Sequence, residues 1–260
     1  MTANAEDVLF ETRGAVAIIT LNRPQQRNAM NTEMTAALHA AISRVESDRN
    51  LRVTILAANG PVFSAGMDLK AFLTGEAEQI LFGDGRFGGF VSQPRSKPVI
   101  ACVQGPALAG GFELVLACDL VVAAREAVFG LPESRLGLVA GGGGAIRVGR
   151  RLPPVIANEI LLLGDRFDAE QALRWGLINR VTDAPPMTEC LQMAERIAAN
   201  APLSIAASLD LVRASDEADM DRLWQQNDRQ LRDLIASDDA AEGARAFAEK
   251  RQPVWRAQEE

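Results

Sequence analysis

The chain has 260 residues, a hydrophobic content of 48% and a formal net charge of −7, which is enough to bury a full core and is opposite in sign to the basic balance of most nucleic-acid binders. Its single histidine, His39, leaves Ser-His-Asp triads and histidine-based zinc sites as weak candidates. Residues 1–13 lack a basic start followed by an apolar core, and no run of about 18 uncharged apolar residues occurs, so neither a secretory signal nor a membrane span is expected. Cys102, Cys118 and Cys190 are scattered without metal-ligand spacing, which fits a reducing compartment, with cytoplasm as the expected location.

Residues 8–11 and 16–21 read as two strands joined through Arg13-Gly14, a hairpin pattern. Asn31 is placed to cap a helix over 32–48, where Met34, Leu38, Ile42 and Val45 recur at helical spacing and His39 lies beside that stripe. Residues 53–57 form a third strand, ended by Asn59-Gly60-Pro61. Residues 71–95 carry Gly83, Gly85, Gly88 and Gly89 and read as a mobile loop. Residues 99–103 and 120–123 read as buried strands, the first stopping at Gly105-Pro106. Between them Gly110 and Gly111 open a segment, 112–118, that suits a buried helix. A helix start presents unpaired N–H groups and partial positive charge, a suitable place for an anion. Glu113 stands in the first turn, where it either complements the helix dipole or does chemistry.

Strands alternating with helices indicate an α/β layered core. The four glycines at 141–144 are followed by Ala145-Ile146 rather than Lys-Ser/Thr, so they read as a tight turn along a site wall more than as a phosphate loop. Pro153-Pro154 opens a helix to residue 163, Asp168 caps another with Gln171 completing a capping box, and Gly176 stops it. Helical patterns then cover 187–199, 202–214, 216–235 and 238–250. The division expected is an α/β core over 1–184 and a helical C-terminal region over 185–260, with 203–209 and 223–234 supplying packing faces.

Several segments recur together. They are Ile-Thr-Leu-Asn-Arg-Pro at 19–24, Arg-Asn-Ala-Met at 27–30, Val-Phe-Ser-Ala-Gly-Met-Asp-Leu-Lys at 62–70 and Gly-Pro-Ala-Leu-Ala-Gly-Gly-Phe-Glu at 105–113. Val-Phe-Gly-Leu-Pro-Glu-Ser-Arg-Leu-Gly at 128–137, Ala-Leu-Arg-Trp-Gly-Leu-Ile-Asn-Arg-Val at 172–181 and Phe-Ala-Glu-Lys-Arg at 247–251 complete the set. In this order and spacing they resemble the crotonase (enoyl-CoA hydratase/isomerase) superfamily over nearly the whole chain. The resemblance implies a crotonase-like spiral of ββα units with a helical C-terminal region, assembled as trimers that pair into hexamers. It implies an acyl-CoA thioester substrate, with CoA part of that substrate and no metal, redox cofactor, membrane or nucleic acid involved.

By the same resemblance, the backbone N–H groups of Met67 and Gly110 bind the thioester oxygen, and Glu113 and Glu133 share the acid and base roles of a hydratase. Glu113 activates water and Glu133 exchanges the Cα proton. Arg27 and Ala29 lie by the CoA moiety, Ala65, Asp68 and Leu69 near its pantetheine and adenine, and Phe247 and Lys250 touch the nucleotide. Residues 110–114, 152–159 and 172–176 further resemble the carnitinyl-CoA dehydratase group, whose cationic substrate suits Phe82, Phe87, Phe90 and Asp84, although these residues equally suit an ordinary acyl pocket. Double-bond isomerisation, thioester hydrolysis and an RNA-binding or scaffold role are the alternatives.

Overall fold

The structure, a computed structural model, describes residues 6–215 and, nearer the C-terminus, 233, 237–239, 242, 246 and 249–255. Its first elements are an antiparallel hairpin of β1 (Val8–Arg13) and β2 (Val16–Leu21), turned at Gly14 with φ +56. A 3-10 turn over Pro24–Gln26 follows, then α1 (Thr32–Ser47), whose start is fixed by Asn31 accepting from the Met34 N–H at 3.0 Å. Next come β3 (Val53–Ala58), α2 (Leu69–Leu73), α3 (Ala77–Phe82), β4 (Val99–Val103), β5 (Ala107–Leu108) and α4 (Gly110–Leu116). The order continues with β6 (Leu120–Ala124), β7 (Val128–Gly130), α5 (Gly144–Arg151), α6 (Pro154–Leu163), β8 (Phe167–Asp168) and α7 (Ala169–Arg174). It closes with β9 (Arg180–Thr182), α8 (Pro186–Ala198) and α9 (Pro202–Ala214).

Two sheets result. The larger runs β1-β2-β3-β4-β6-β9 and is parallel from β2 onward; the smaller runs β5-β7-β8. Parallel strands are covered on both faces, which is why β4 reads as an unbroken apolar run and β3 as one broken only by Thr54. Val53, Ile55, Ile100, Cys102 and Val122 face Cys190 and Ala194 of α8. Leu56, Val99, Ala101 and Val103 face the other way, into the core built on Met34, Leu38 and Ile42 of α1 and Phe112 and Leu114 of α4. Helix α8 therefore covers a face of the main sheet, although it falls within the 185–260 stretch. The expected helices over 216–235 and 238–250 lie largely outside the described residues.

The small sheet is held by aromatic rings. Phe112 of α4 meets Phe129 of β7 at 5.2 Å and Phe167 of β8 at 5.6 Å, and Phe167 meets Trp175 at 5.1 Å. Such pairs contribute about 0.5–1.5 kcal/mol each beyond their burial. They fix α4 against β7, and that contact aligns the site described below.

The segment 71–95 differs from the loop its glycines suggest. It holds part of α2, all of α3 and a 3-10 turn over Phe87–Gly89, and it buries Ile80, Phe87, Phe90 and Val91. The glycines serve close packing: a Cβ on Gly89 would stand 2.7 Å from both the Thr35 carbonyl oxygen and the His39 Cβ of α1. His39 Nδ1 in turn lies 2.9 Å from the Gly89 carbonyl oxygen, so the only histidine is a packing residue at this junction.

Asn28 is fully buried in a left-handed conformation, φ +52. Its Nδ2 donates to the carbonyls of Asn59 at 2.9 Å and Val62 at 2.8 Å, and its Oδ1 accepts from the Arg23 N–H at 2.8 Å. Asn28→Ala leaves three backbone groups unpaired, each worth about 1–3 kcal/mol, and puts alanine at a left-handed φ that asparagine adopts more readily. The expected outcome is a loss of at least about 3 kcal/mol in equilibrium urea unfolding. A loss below about 1 kcal/mol would show that these bonds do not fasten the 23–30 turn to the 59–66 segment.

Candidate active site

Strands β5 and β7 are parallel neighbours with Leu108 opposite Gly130. The chain leaving each strand therefore emerges side by side, and the Ala109 N–H donates to the Gly130 carbonyl at 2.9 Å. One exit becomes α4, carrying Glu113; the other becomes the 3-10 turn Pro132–Leu136, carrying Glu133. Two carboxylates twenty positions apart are thus brought to one place by strand register.

A second crossing brings in the 64–67 segment. Ser64 bridges Ala107, and the Leu108 N–H donates to the Ser64 carbonyl at 3.0 Å. Two glycines allow the approach. A Cβ on Gly111 would lie 2.2 Å from the Ser64 oxygen, and a Cβ on Gly66, at φ +94, would lie 2.9 Å from the Gly110 nitrogen. On its other side the 64–67 segment pairs with Met30 through the Gly66 carbonyl and the Asp68 N–H. In a parallel bridge the intervening N–H, that of Met67, points away from this partner. Gly110 is the first residue of α4, so its N–H has no acceptor within the helix, and the preceding Ala109, at φ +51, supplies no side-chain cap. The Met67 and Gly110 segments therefore meet with two backbone donors outside the regular ladders.

Glu113 is 3% exposed, and its Oε1 accepts from the Gly144 N–H at 2.8 Å. First-turn position aligns Glu113 with its own helix dipole, yet its carboxylate bonds to the N-terminus of a different helix, α5. A Cβ on Gly142 would stand 2.7 Å from Glu113 Oε2 and one on Gly144 would stand 2.9 Å from Oε1. The 141–144 run is thus the wall around this carboxylate, and only glycine leaves room for it. Burial pushes the Glu113 pKa up to about 7, the hydrogen bond from Gly144 pulls it down, the nearby Glu133 charge raises it and Arg147 lowers it. Glu133 is 8% exposed and burial holds its pKa above the ordinary carboxylate range; its Oε2 is buried with no protein hydrogen-bond partner.

The other expected site residues divide. The Ala65 N–H donates to the Arg27 carbonyl at 3.0 Å, so the 27–29 and 65–67 segments run side by side. Arg27 and Leu69 are exposed, while Ala29 is buried. The Asp68 side chain is engaged structurally: it accepts from the Lys70 N–H at 3.0 Å as the cap of α2 and pairs with Arg23 at 3.2 Å. Phe247 lies outside the described residues. Lys250 is exposed, in a C-terminal stretch whose Arg251 pairs with Glu242 and Glu249. The aromatic cage over a cation is not assembled from Phe82, Phe87 and Phe90. Phe90 is fully buried beneath the Arg95 guanidinium at 4.3 Å, Phe87 is buried against Gly110, and Phe82 and Asp84 are exposed.

Residues 11–258 match the family described as enoyl-CoA hydratase/isomerase. This chain belongs to the enoyl-CoA hydratase/isomerase family. It is 41% identical to carnitinyl-CoA dehydratase of Citrobacter koseri, an alignment covering 97% of this chain and 99% of that protein. Its fold superposes on an enoyl-CoA hydratase from Mycobacterium tuberculosis with a TM-score of 0.93 at 43% identity, covering 98% of this chain and all of the other. A carnitinyl-CoA hydratase from Mycobacterium avium gives a TM-score of 0.76 at 42% identity, covering 98% of this chain. The chain therefore has the crotonase fold and is an enzyme of this family.

The 141–144 run is a turn along the site wall, as its sequence suggests, and Arg147 is the contributor that motif reading misses. Its signal is an arginine three residues after a glycine run, which has no meaning until Glu113 is seen to fold against that run.

The raised pKa of Glu113 has a definite sign. The folded protein holds a proton that the unfolded chain, with a carboxylate near about 4.3, gives up. Stability from this group is full below about pH 4 and is lost as pH rises through the folded value of about 7. Glu113→Gln removes the ionisation. The variant is expected to gain melting temperature relative to the parent protein between pH 5 and pH 8. A difference that stays flat or shrinks over that range would contradict burial of an ionisable carboxyl at this position.

Proposed function

We propose that this enzyme adds water across the 2,3-double bond of an enoyl-CoA thioester, or removes it in reverse. The observation that carries the reading is the pair of buried carboxylates, Glu113 and Glu133, close enough that the charge of one raises the pKa of the other, on chain exits next to the backbone donors of Met67 and Gly110. The thioester oxygen accepts both N–H groups, which stabilise the enolate-like oxygen formed as water adds; one such donor is worth about 3 kcal/mol. Water sits between the carboxylates. Ionised Glu113 takes its proton as oxygen bonds to Cβ, and protonated Glu133 delivers a proton to Cα. Both proton transfers are then complete, and proton exchange with solvent restores the starting charges. A Glu113 pKa of about 7 suits a base that works near neutrality, and the unpartnered Oε2 of Glu133 supports a water or substrate contact there.

The CoA moiety runs along Arg27, Ala29, Ala65, Asp68 and Leu69 in this reading, and the chemistry uses no metal or redox cofactor. A location in the cytoplasm is supported by three unpaired cysteines. A trimeric or hexameric assembly is supported by exposed Leu136, Leu138, Val139, Ile146, Val155 and Leu163, too many apolar side chains in one stretch for an isolated subunit. The second reading, dehydration of carnitinyl-CoA, is favoured by the 41% identity to such an enzyme. The use of Phe90 by Arg95 favours an uncharged acyl group instead.

Glu113→Gln and Glu133→Gln are each expected to lower hydration at least about a hundredfold while thioester binding survives. Crotonyl-, hexenoyl-, decenoyl- and crotonobetainyl-CoA, compared by hydration rate, separate the two readings. A short uncharged enoyl group should be preferred. Selective turnover of crotonobetainyl-CoA would establish the second reading, and near-normal turnover by either variant would refute the two-carboxylate mechanism.

A further inference from the structure

Arg147 lies on the first turn of α5, behind the glycine wall. Its Nη1 donates to the Gly142 carbonyl at 3.1 Å and its Nη2 donates to the Val91 carbonyl. The guanidinium rests on the backbone of Gly143, where φ is +93 and a Cβ would stand 2.2 Å from Nη1. The two carbonyls belong to separate segments of the chain. Gly142 and Gly144 enclose the Glu113 carboxylate, and the 87–91 segment packs against that turn and the start of α4, with the Phe87 Cβ only 3.1 Å from where a Gly142 Cβ would be and its ring against Gly110.

We propose that Arg147 is a positioning residue of this enzyme: it clamps the 142–144 turn to the 87–91 segment and so holds the Glu113 carboxylate in register with Glu133 and the two backbone donors. The inference rests on the reading of Glu113 as the water-activating base. A planar fork with several N–H groups suits two carbonyls on separate segments, whereas a lysine ammonium carries the charge without that geometry. The charge has its own consequence. The charged groups acting on Glu113 are Glu133 from the Pro132–Leu136 turn and Arg147 from α5. Arg147 itself faces Arg151 on its own helix, Arg95 before β4, Cys118 after α4, and Glu113. Arg147 is thus the cation that favours ionised Glu113.

The test compares Arg147→Gln and Arg147→Lys with the parent enzyme across pH, with Glu113→Gln in parallel. Arg147→Gln is expected to lower kcat roughly tenfold to a hundredfold, since misplacement by about 1 Å can cost that much, with KM little changed. The acid limb of kcat/KM should move upward by about half a pH unit or more as Glu113 loses its cation. Arg147→Lys is expected to keep the limb near its normal position while kcat still falls. The titration of the Glu113 carboxyl, followed by 13C NMR in Arg147→Gln, reports the electrostatic part without turnover and should show the same upward move. Unchanged kcat and an unmoved limb in Arg147→Gln, or a loss confined to KM, would overturn the proposal. If that variant does not fold, normal kcat in Arg147→Lys overturns it. Activity retained by Glu113→Gln would instead overturn the underlying assignment of the base.

Discussion

The site depends on one hydrogen bond, from the Gly144 N–H to the Glu113 carboxylate at 2.8 Å. A carboxylate 3% exposed to solvent needs a donor to remain ionisable, because burial alone favours the neutral acid. Here the donor is the start of a neighbouring helix, where N–H groups are free of intrahelical partners. The carboxylate and the helix solve each other's problem. This arrangement brings Glu113 to the border between acid and base near neutral pH.

Around that bond, the structure is shaped by close backbone approach. Gly66 and Gly111 let the 64–67 segment touch the start of α4, and Gly142 and Gly144 let α5 touch Glu113. Each contact would be blocked by a single Cβ. Glycine has low helix propensity, so its use at 110, 111 and 144 trades local propensity for geometry. The aromatic cluster of Phe112, Phe129 and Phe167 offsets that cost by anchoring α4 from its buried side.

The segment 71–95 has a composition that points away from the structure it adopts. Gly83, Gly85, Gly88 and Gly89 suggest flexibility, yet 71–95 is threaded with buried apolar side chains and tied down through His39, Arg95 and Arg147. Its phenylalanines act as packing against Gly110 and Arg95. In the proposed reading, selection among acyl groups is a matter of shape, where each buried methylene counts for about 0.8 kcal/mol.

The sequence by itself determined much of this protein. Helical spacing and Asn31 defined α1, apolar runs defined the parallel strands, and the capping box at Asp168 defined α7, because these signals are local and carried by adjacent residues. The motifs around Met67, Gly110, Glu113 and Glu133 marked the family, which the match over residues 11–258 then established. Other features were decided only in three dimensions. That Glu113 answers to α5 rather than to its own helix, that Asp68 is occupied by Arg23, and that Phe90 is covered by Arg95 all depend on segments far apart in the chain. A side chain's partner is set by strand register and backbone approach, and neither is written in the residues that flank it.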